Sequence, residues 1–77
     1  MKTKFIEFSD PDFDKVVIES YIDDQYFCTF SNDKDDKEVE ILFRRTYYDE
    51  PLDDIRVSFD DLQYILKRGK EILIDGK

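Results

Sequence analysis

The chain has no histidine and no tryptophan, and only one cysteine, two glycines and two prolines among its 77 residues. Without histidine it lacks the usual general base near neutral pH, the partner of Ser-His and Cys-His nucleophiles, and the commonest zinc ligand. A lone cysteine, Cys28, rules out an internal disulfide. It falls at an inward strand position with no basic neighbour in sequence to lower its pKa, and so reads as a small core residue, not a reactive thiol. Gly69 and Gly76 are too few for a phosphate-cradling loop, which excludes Walker and dinucleotide-binding turns. Apolar runs are equally scarce. Stretches such as Ile41-Leu42-Phe43 and Ile72-Leu73-Ile74 fall far short of the ~20 residues that span a bilayer. Met1-Lys2-Thr3-Lys4 runs into only a few apolar residues before Glu7, unlike a signal peptide, so the expected location is cytoplasmic.

Positive charge is the other deficit: 12 basic side chains stand against 20 acidic ones, a net charge of −8. Residues 57–77 are balanced, so the acidity belongs to the first two thirds of the chain. Such a surface repels phosphate backbones and anionic lipids and speeds association with a cationic protein. The expected partner is a basic protein, with a nuclease as one candidate. Direct nucleic-acid or membrane binding is not expected.

A hydrophobic content of 40%, with seven Phe and five Tyr, is too high for a disordered acidic tail. A chain of this length forms one domain, residues 1–77, and buries roughly 60–65% of its unfolded surface in a single small core. Apolar residues alternate with period two in three runs, Lys15–Asp23, Gln25–Ser31 and Glu38–Arg45. Val16, Ile18 and Ile22 share a face, as do Tyr26, Cys28 and Phe30, and then Val39, Ile41 and Phe43. A turn at Asp23-Asp24-Gln25 would set Ile22 opposite Tyr26 and Ile18 opposite Phe30. A polar 31–38 loop would set Phe30 opposite Val39 and Tyr26 opposite Phe43. Both registers place the apolar sets together. A shorter strand, Lys4–Phe8, pairs at an edge.

Ser58 has the character of a helix N-cap, with Asp60 and Asp61 in the favourable first turn. Leu62, Ile65 and Leu66 then form a buried stripe, with core spacing of three and four. The preferred reading runs the helix from about Phe59 to Arg68, with Gly69 as a left-handed C′ residue and Glu71–Asp75 as a closing strand. The other carries the helix to about residue 74. The expected fold class is α+β: a small single domain with an antiparallel β-meander of three to five strands and one C-terminal helix packed on one face.

Carboxylates are the only plentiful chemistry. A calcium loop starting at Asp33 would have Lys37 at its fifth position, Glu38 where glycine is needed and Arg44 where the bidentate Glu belongs, so no metal is expected. Paired acids could serve glycoside hydrolysis, but so small a sheet is not expected to enclose a sugar. The expectation is no enzyme and no cofactor.

Two interfaces suggest themselves. On the outer sheet face, Val17, Tyr21, Phe27 and Leu42 would form an apolar strip rimmed by Glu19, Glu40 and Arg44, the composition of an interface centre; alternatively, the 46–56 loop or the C-terminal segment covers it. Left bare, this strip would favour a homodimer or a bound partner. The second is the loop set Asp33, Asp35, Asp36, Tyr47, Tyr48, Asp49, Glu50, Asp53 and Asp54, with acids to steer a basic partner and tyrosines to anchor it.

In size, acidity and lack of catalytic groups, the chain resembles two functional classes: immunity proteins that neutralise a toxin, often a nuclease, and phage-encoded inhibitors of bacterial defence nucleases. The likeness is one of overall profile and carries over no site residue. It implies a stoichiometric inhibitor of a basic, nucleic-acid-processing enzyme, with carboxylates standing in for phosphates. The alternative is a non-inhibitory interaction module or homo-oligomer whose acidity serves solubility.

Overall fold

A computed structural model describes residues 1–76 of the protein. The period-two runs form β1 (Thr3–Phe8), β2 (Val17–Ile22), β3 (Gln25–Asp35) and β4 (Glu38–Leu42), paired antiparallel in the order β1-β2-β3-β4. A small hairpin of β5 (Thr46–Tyr47) and β6 (Glu50–Pro51) follows, and the helix α1 spans Phe59–Asp75. The meander with one C-terminal helix is therefore the fold expected from the sequence.

Its register shifts at two places, one between β2 and β3 and one between β3 and β4. Ile18 faces Phe30 as expected, but the β2–β3 turn holds only Asp23 and Asp24, both left-handed at φ 49° and 70°, so Ile22 faces Gln25. Paired left-handed residues match the twist of a two-residue hairpin, and aspartate tolerates that conformation well. Pairing then slips, with Tyr21 facing Tyr26 and Ser20 facing Cys28, and Phe27 becomes the extra residue of a β-bulge. The Ser20 hydroxyl fills the interrupted ladder, donating to the Cys28 carbonyl at 3.0 Å and accepting from the Cys28 N–H at 3.3 Å. The bulge exchanges two side chains. Tyr26 lies on the face opposite Cys28 and Phe30, and Phe27 packs toward the core; both are reversed from the period-two expectation.

β3 runs past its expected end at Ser31 to Asp35, whereas β4 stops at Leu42, short of the expected Arg45. Phe30 faces Ile41 and Thr29 faces Leu42, while Asp35 faces Glu38 across a turn of Asp36 and Lys37. At Thr29–Ser31 this register lies two residues from the expected one, a shift that keeps those side chains on their faces, and it shifts again between Ser31 and Asp35. Val16 precedes β2 and is exposed, while Val17 is fully buried. Ile41 and Phe43 were expected in the core but are exposed along the free edge of the sheet.

One face of the sheet carries the core: Ile18, Ile22, Cys28 and Phe30 against Ile65 of α1, flanked by Phe5, Val39, Ile55, Val57, Leu66 and Leu73. The Ser58 hydroxyl accepts from the Asp61 N–H at 3.1 Å, the N-cap expected there. The helix passes through Gly69 and ends at Gly76, whose φ of 72° supplies the left-handed stop. The shorter helix and the closing strand Glu71–Asp75 do not form, because the apolar stripe continues through Ile72 and Leu73 onto the core. Gly69 instead permits close packing: a Cβ there would lie 2.3 Å from Cζ of the fully buried Phe30 ring.

That contact yields a prediction. Gly69→Ala gains up to about 1 kcal/mol of helix propensity. It also forces a methyl against a ring that has no room to move, so we expect net destabilisation of about 1–2 kcal/mol in urea melts. The double variant with Phe30→Leu should be less than additive, since the smaller side chain relieves the clash. Unchanged stability in Gly69→Ala would mean that α1 lies farther from β3.

Candidate functional site

The opposite face of the sheet is built around a buried acid. Glu19, at the centre of β2, faces Ile6 on one side and Thr29 on the other and is only 2% exposed. Burying an ionised carboxylate requires hydrogen bonds, and two tyrosines supply them. Tyr21 donates to Oε1 at 2.8 Å, and Tyr47, from β5, donates to Oε1 at 3.0 Å with a second branch to Oε2 at 3.2 Å. The Tyr47 ring stacks on Tyr26 at a centroid distance of 4.5 Å, in an aromatic cluster to which Tyr21 adds an edge-on contact. The Tyr26 hydroxyl is hydrogen-bonded to Thr29. Among the described residues no cation pairs with Glu19.

The β5–β6 hairpin is what brings Tyr47 over this face. Its turn residues Tyr48 and Asp49 are left-handed at φ 53° and 66°, repeating the geometry of the β2–β3 turn. Tyrosine tolerates this conformation less well than aspartate or glycine. Tyr48 nevertheless holds its ring edge-on to Tyr47 at 4.5 Å while remaining 73% exposed. Opposite, Arg44 forms a 2.9 Å ion pair with Asp10 and lies 3.9 Å from Asp12. These groups, with Phe8, Pro11 and Thr46, enclose a cleft of about 330 Å³ with Glu19 in its lining.

The nine residues proposed from the loops are thus divided. Tyr47, Tyr48 and Asp49 join Asp10, Asp12 and Glu19 at the cleft, and Glu50 pairs with Tyr47 in the hairpin. Asp33, Asp35 and Asp36 lie at or beside the β3–β4 turn. There Asp33 accepts from the Asp14 and Lys15 N–H groups, Asp35 from the Lys37 N–H, and Asp36 pairs with Lys15, whose ammonium holds its carboxyl below the usual range. Asp53 and Asp54 lie elsewhere, near Phe27 and Phe43, and the Asp53 carbonyl accepts from Gln25 Nε2 at 2.9 Å.

The apolar strip divides as well. Val17 is fully buried, Tyr21 is half-buried against Glu19 and Tyr47, Phe27 packs on the core side, and only Leu42 is exposed. The β5–β6 hairpin covers part of this face, one of the two arrangements open from the sequence. Asp10, Asp12 and Arg44 were missed as a group because 34 residues separate Asp10 from its partner in sequence. Glu19 was visible only as a rim acid; its burial depends on Tyr47 folding back over β2.

Burial pushes the phenols of Tyr21, Tyr26 and Tyr47 above their ordinary values, with the Glu19 carboxylate adding to the rise at Tyr21 and Tyr47. Burial likewise pushes the Cys28 thiol up to about 11, against a smaller opposing effect of its Ser20 hydrogen bond. Cys28 is therefore a protonated core group, as expected. Compared with known protein families, curated proteins and solved structures, the chain has no match among any of the three.

Two outcomes follow. Because these four acids hold their protons more tightly in the folded chain, the unfolded chain releases them first as pH rises. Stability should therefore be full below the thiol's ordinary 9.0 and decline toward 11, a window set by Cys28 and deepened by the tyrosines. Urea midpoints compared at about pH 8 and pH 10.5 read this directly. Separately, Tyr47→Phe keeps the stacked ring but removes a donor from a buried carboxylate, and should cost about 1–3 kcal/mol in the same melts.

Proposed function

We propose that this protein is a protein-binding inhibitor that docks a basic, nucleic-acid-processing enzyme through the cleft beside β5 and β6. The observation that carries this reading is the cleft of a strongly acidic chain at which the exposed Asp12, Asp49 and Tyr48 gather around the Arg44–Asp10 ion pair, above the buried Glu19. Carboxylates in this setting act on a cationic groove as phosphates would, and Tyr48 supplies an exposed ring of the kind that anchors interfaces. The acids of the β3–β4 turn lie among Lys15, Lys34 and Lys37, which offset much of their charge, so their contribution to steering is the smaller one. Immunity and anti-defence inhibitors are the classes that this profile fits.

A second reading, a homo-oligomer or neutral interaction module, draws on the free edge of β4, where Ile41, Leu42 and Phe43 are exposed. Unprotected apolar edges invite pairing with another strand. Sedimentation distinguishes the two: a strict monomer at high micromolar concentration removes self-association.

The inhibitor reading is tested by affinity capture from the source cells and mass spectrometry, followed by titration of the captured enzyme's activity. We expect inhibition to end at one equivalent. The on-rate should fall steeply between roughly 50 and 500 mM salt while the off-rate changes less. Asp12→Lys and Asp49→Lys should slow association more than Asp35→Lys and Asp36→Lys, and Tyr48→Ala should raise the off-rate. Salt-insensitive binding that tolerates all five changes would overturn the reading.

A further inference from the structure

After Leu42, the last residue of β4, the chain leaves the main sheet, and it is anchored again only at Ile55, which packs on the core. In between, β5 and β6 pair with each other alone, and the Leu52 N–H donates to the Arg45 carbonyl at 3.3 Å within the same hairpin. Among the described residues, no backbone–backbone hydrogen bond joins 45–54 to β1–β4. Of residues 45–51, Tyr47 alone is not exposed. Its side chain is the seat of the hairpin: hydrogen bonds to Glu19 at 3.0 and 3.2 Å, a 3.1 Å hydroxyl contact with Tyr21, and the stack on Tyr26. Gln25 Nε2 on the Asp53 carbonyl is a second tether.

Two features of this seated position favour release. Glu19 is buried without a paired cation and would regain water if the hairpin lifted. Tyr48 is held left-handed at φ 53°, a strain that lifting relieves. The helix-side core has no such dependence, because none of the residues packed there comes from 43–54. Removing the hairpin therefore leaves the packing of α1 on β2 and β3 in place.

We infer that residues 45–54 form a flap that lifts off the sheet as a unit while β1–β4 and α1 stay folded, with Tyr47 as its latch. Closed, the flap brings Tyr48 and Asp49 to the cleft; open, it uncovers Glu19, Tyr21 and Tyr26 and dismantles the cleft. Where the cleft is the docking site, as proposed above, only the closed fraction binds. The flap itself does not depend on that reading.

The test is amide hydrogen exchange of the full chain, followed by NMR in urea concentrations below the unfolding transition, which separates local from global opening. We expect the Leu52 N–H to be protected, yet to exchange at least about a hundredfold faster than the most protected amides of β2 and β3. Its rate should be nearly independent of urea, since lifting the flap exposes little surface, whereas rates in β2 and β3 rise steeply. Tyr47→Phe, which keeps the stacked ring, should speed Leu52 exchange about tenfold. Exchange of Leu52 at the rate and urea slope of the core would mean that the hairpin opens only when the whole domain unfolds. Exchange at the rate of an unstructured peptide would mean that nothing holds it closed. Either result in the unmodified chain overturns the flap, and a Leu52 rate unmoved by Tyr47→Phe overturns the latch. No partner enters the measurement, so its outcome is independent of the docking proposal.

Discussion

The bulge at Phe27 is the constraint on which the rest of the outer face depends. An extra residue in β3 sends Tyr26 to the side of Glu19, where its ring becomes the platform on which Tyr47 stacks. With Tyr47 seated there, its hydroxyl reaches Glu19, and the β5–β6 hairpin is fixed across the sheet. The turn of that hairpin then sets Tyr48 and Asp49 against Asp10 and Asp12. The irregularity is held locally by the Ser20 hydroxyl, which satisfies both backbone groups of Cys28. A small polar side chain in an otherwise apolar core face thus determines the geometry of a surface on the other side of the sheet.

The two faces do different work. The helix-covered face has a compact apolar core in which Gly69 lets α1 approach Phe30, and it supplies the stability that so short a chain can reach. The outer face carries a buried acid and a left-handed tyrosine, features that cost stability and that the stacked, hydrogen-bonding phenols partly offset. They gather at the cleft and directly beneath it. Such groups also link the cleft to folding, since loosening the hairpin would expose Glu19 and the tyrosine cluster together.

Acidity, concentrated in the first two thirds of the chain, is structurally divided. At the β3–β4 turn, carboxylates cap backbone N–H groups and pair with lysines, so their charge is partly spent within the fold. At the cleft, among the described residues, Arg44 alone offsets four acids.

Much of the architecture is legible in the residues themselves. Alternation in three runs set the strands, the Ser58 cap began the helix, and residue types alone excluded histidine-dependent chemistry, because each of these depends on near neighbours or on composition. The faces of Tyr26 and Phe27 were not legible, since a bulge forms only when Ser20 meets Cys28 across the ladder. The end of the helix was ambiguous because glycine serves equally as a stop and as a point of close packing, and only the position of the Phe30 ring separates the two. The cleft was illegible for the same reason at longer range. Asp10 and Arg44, or Glu19 and Tyr47, are brought together by sheet registry and a folded-back hairpin, and a chain read locally contains no information about either distance.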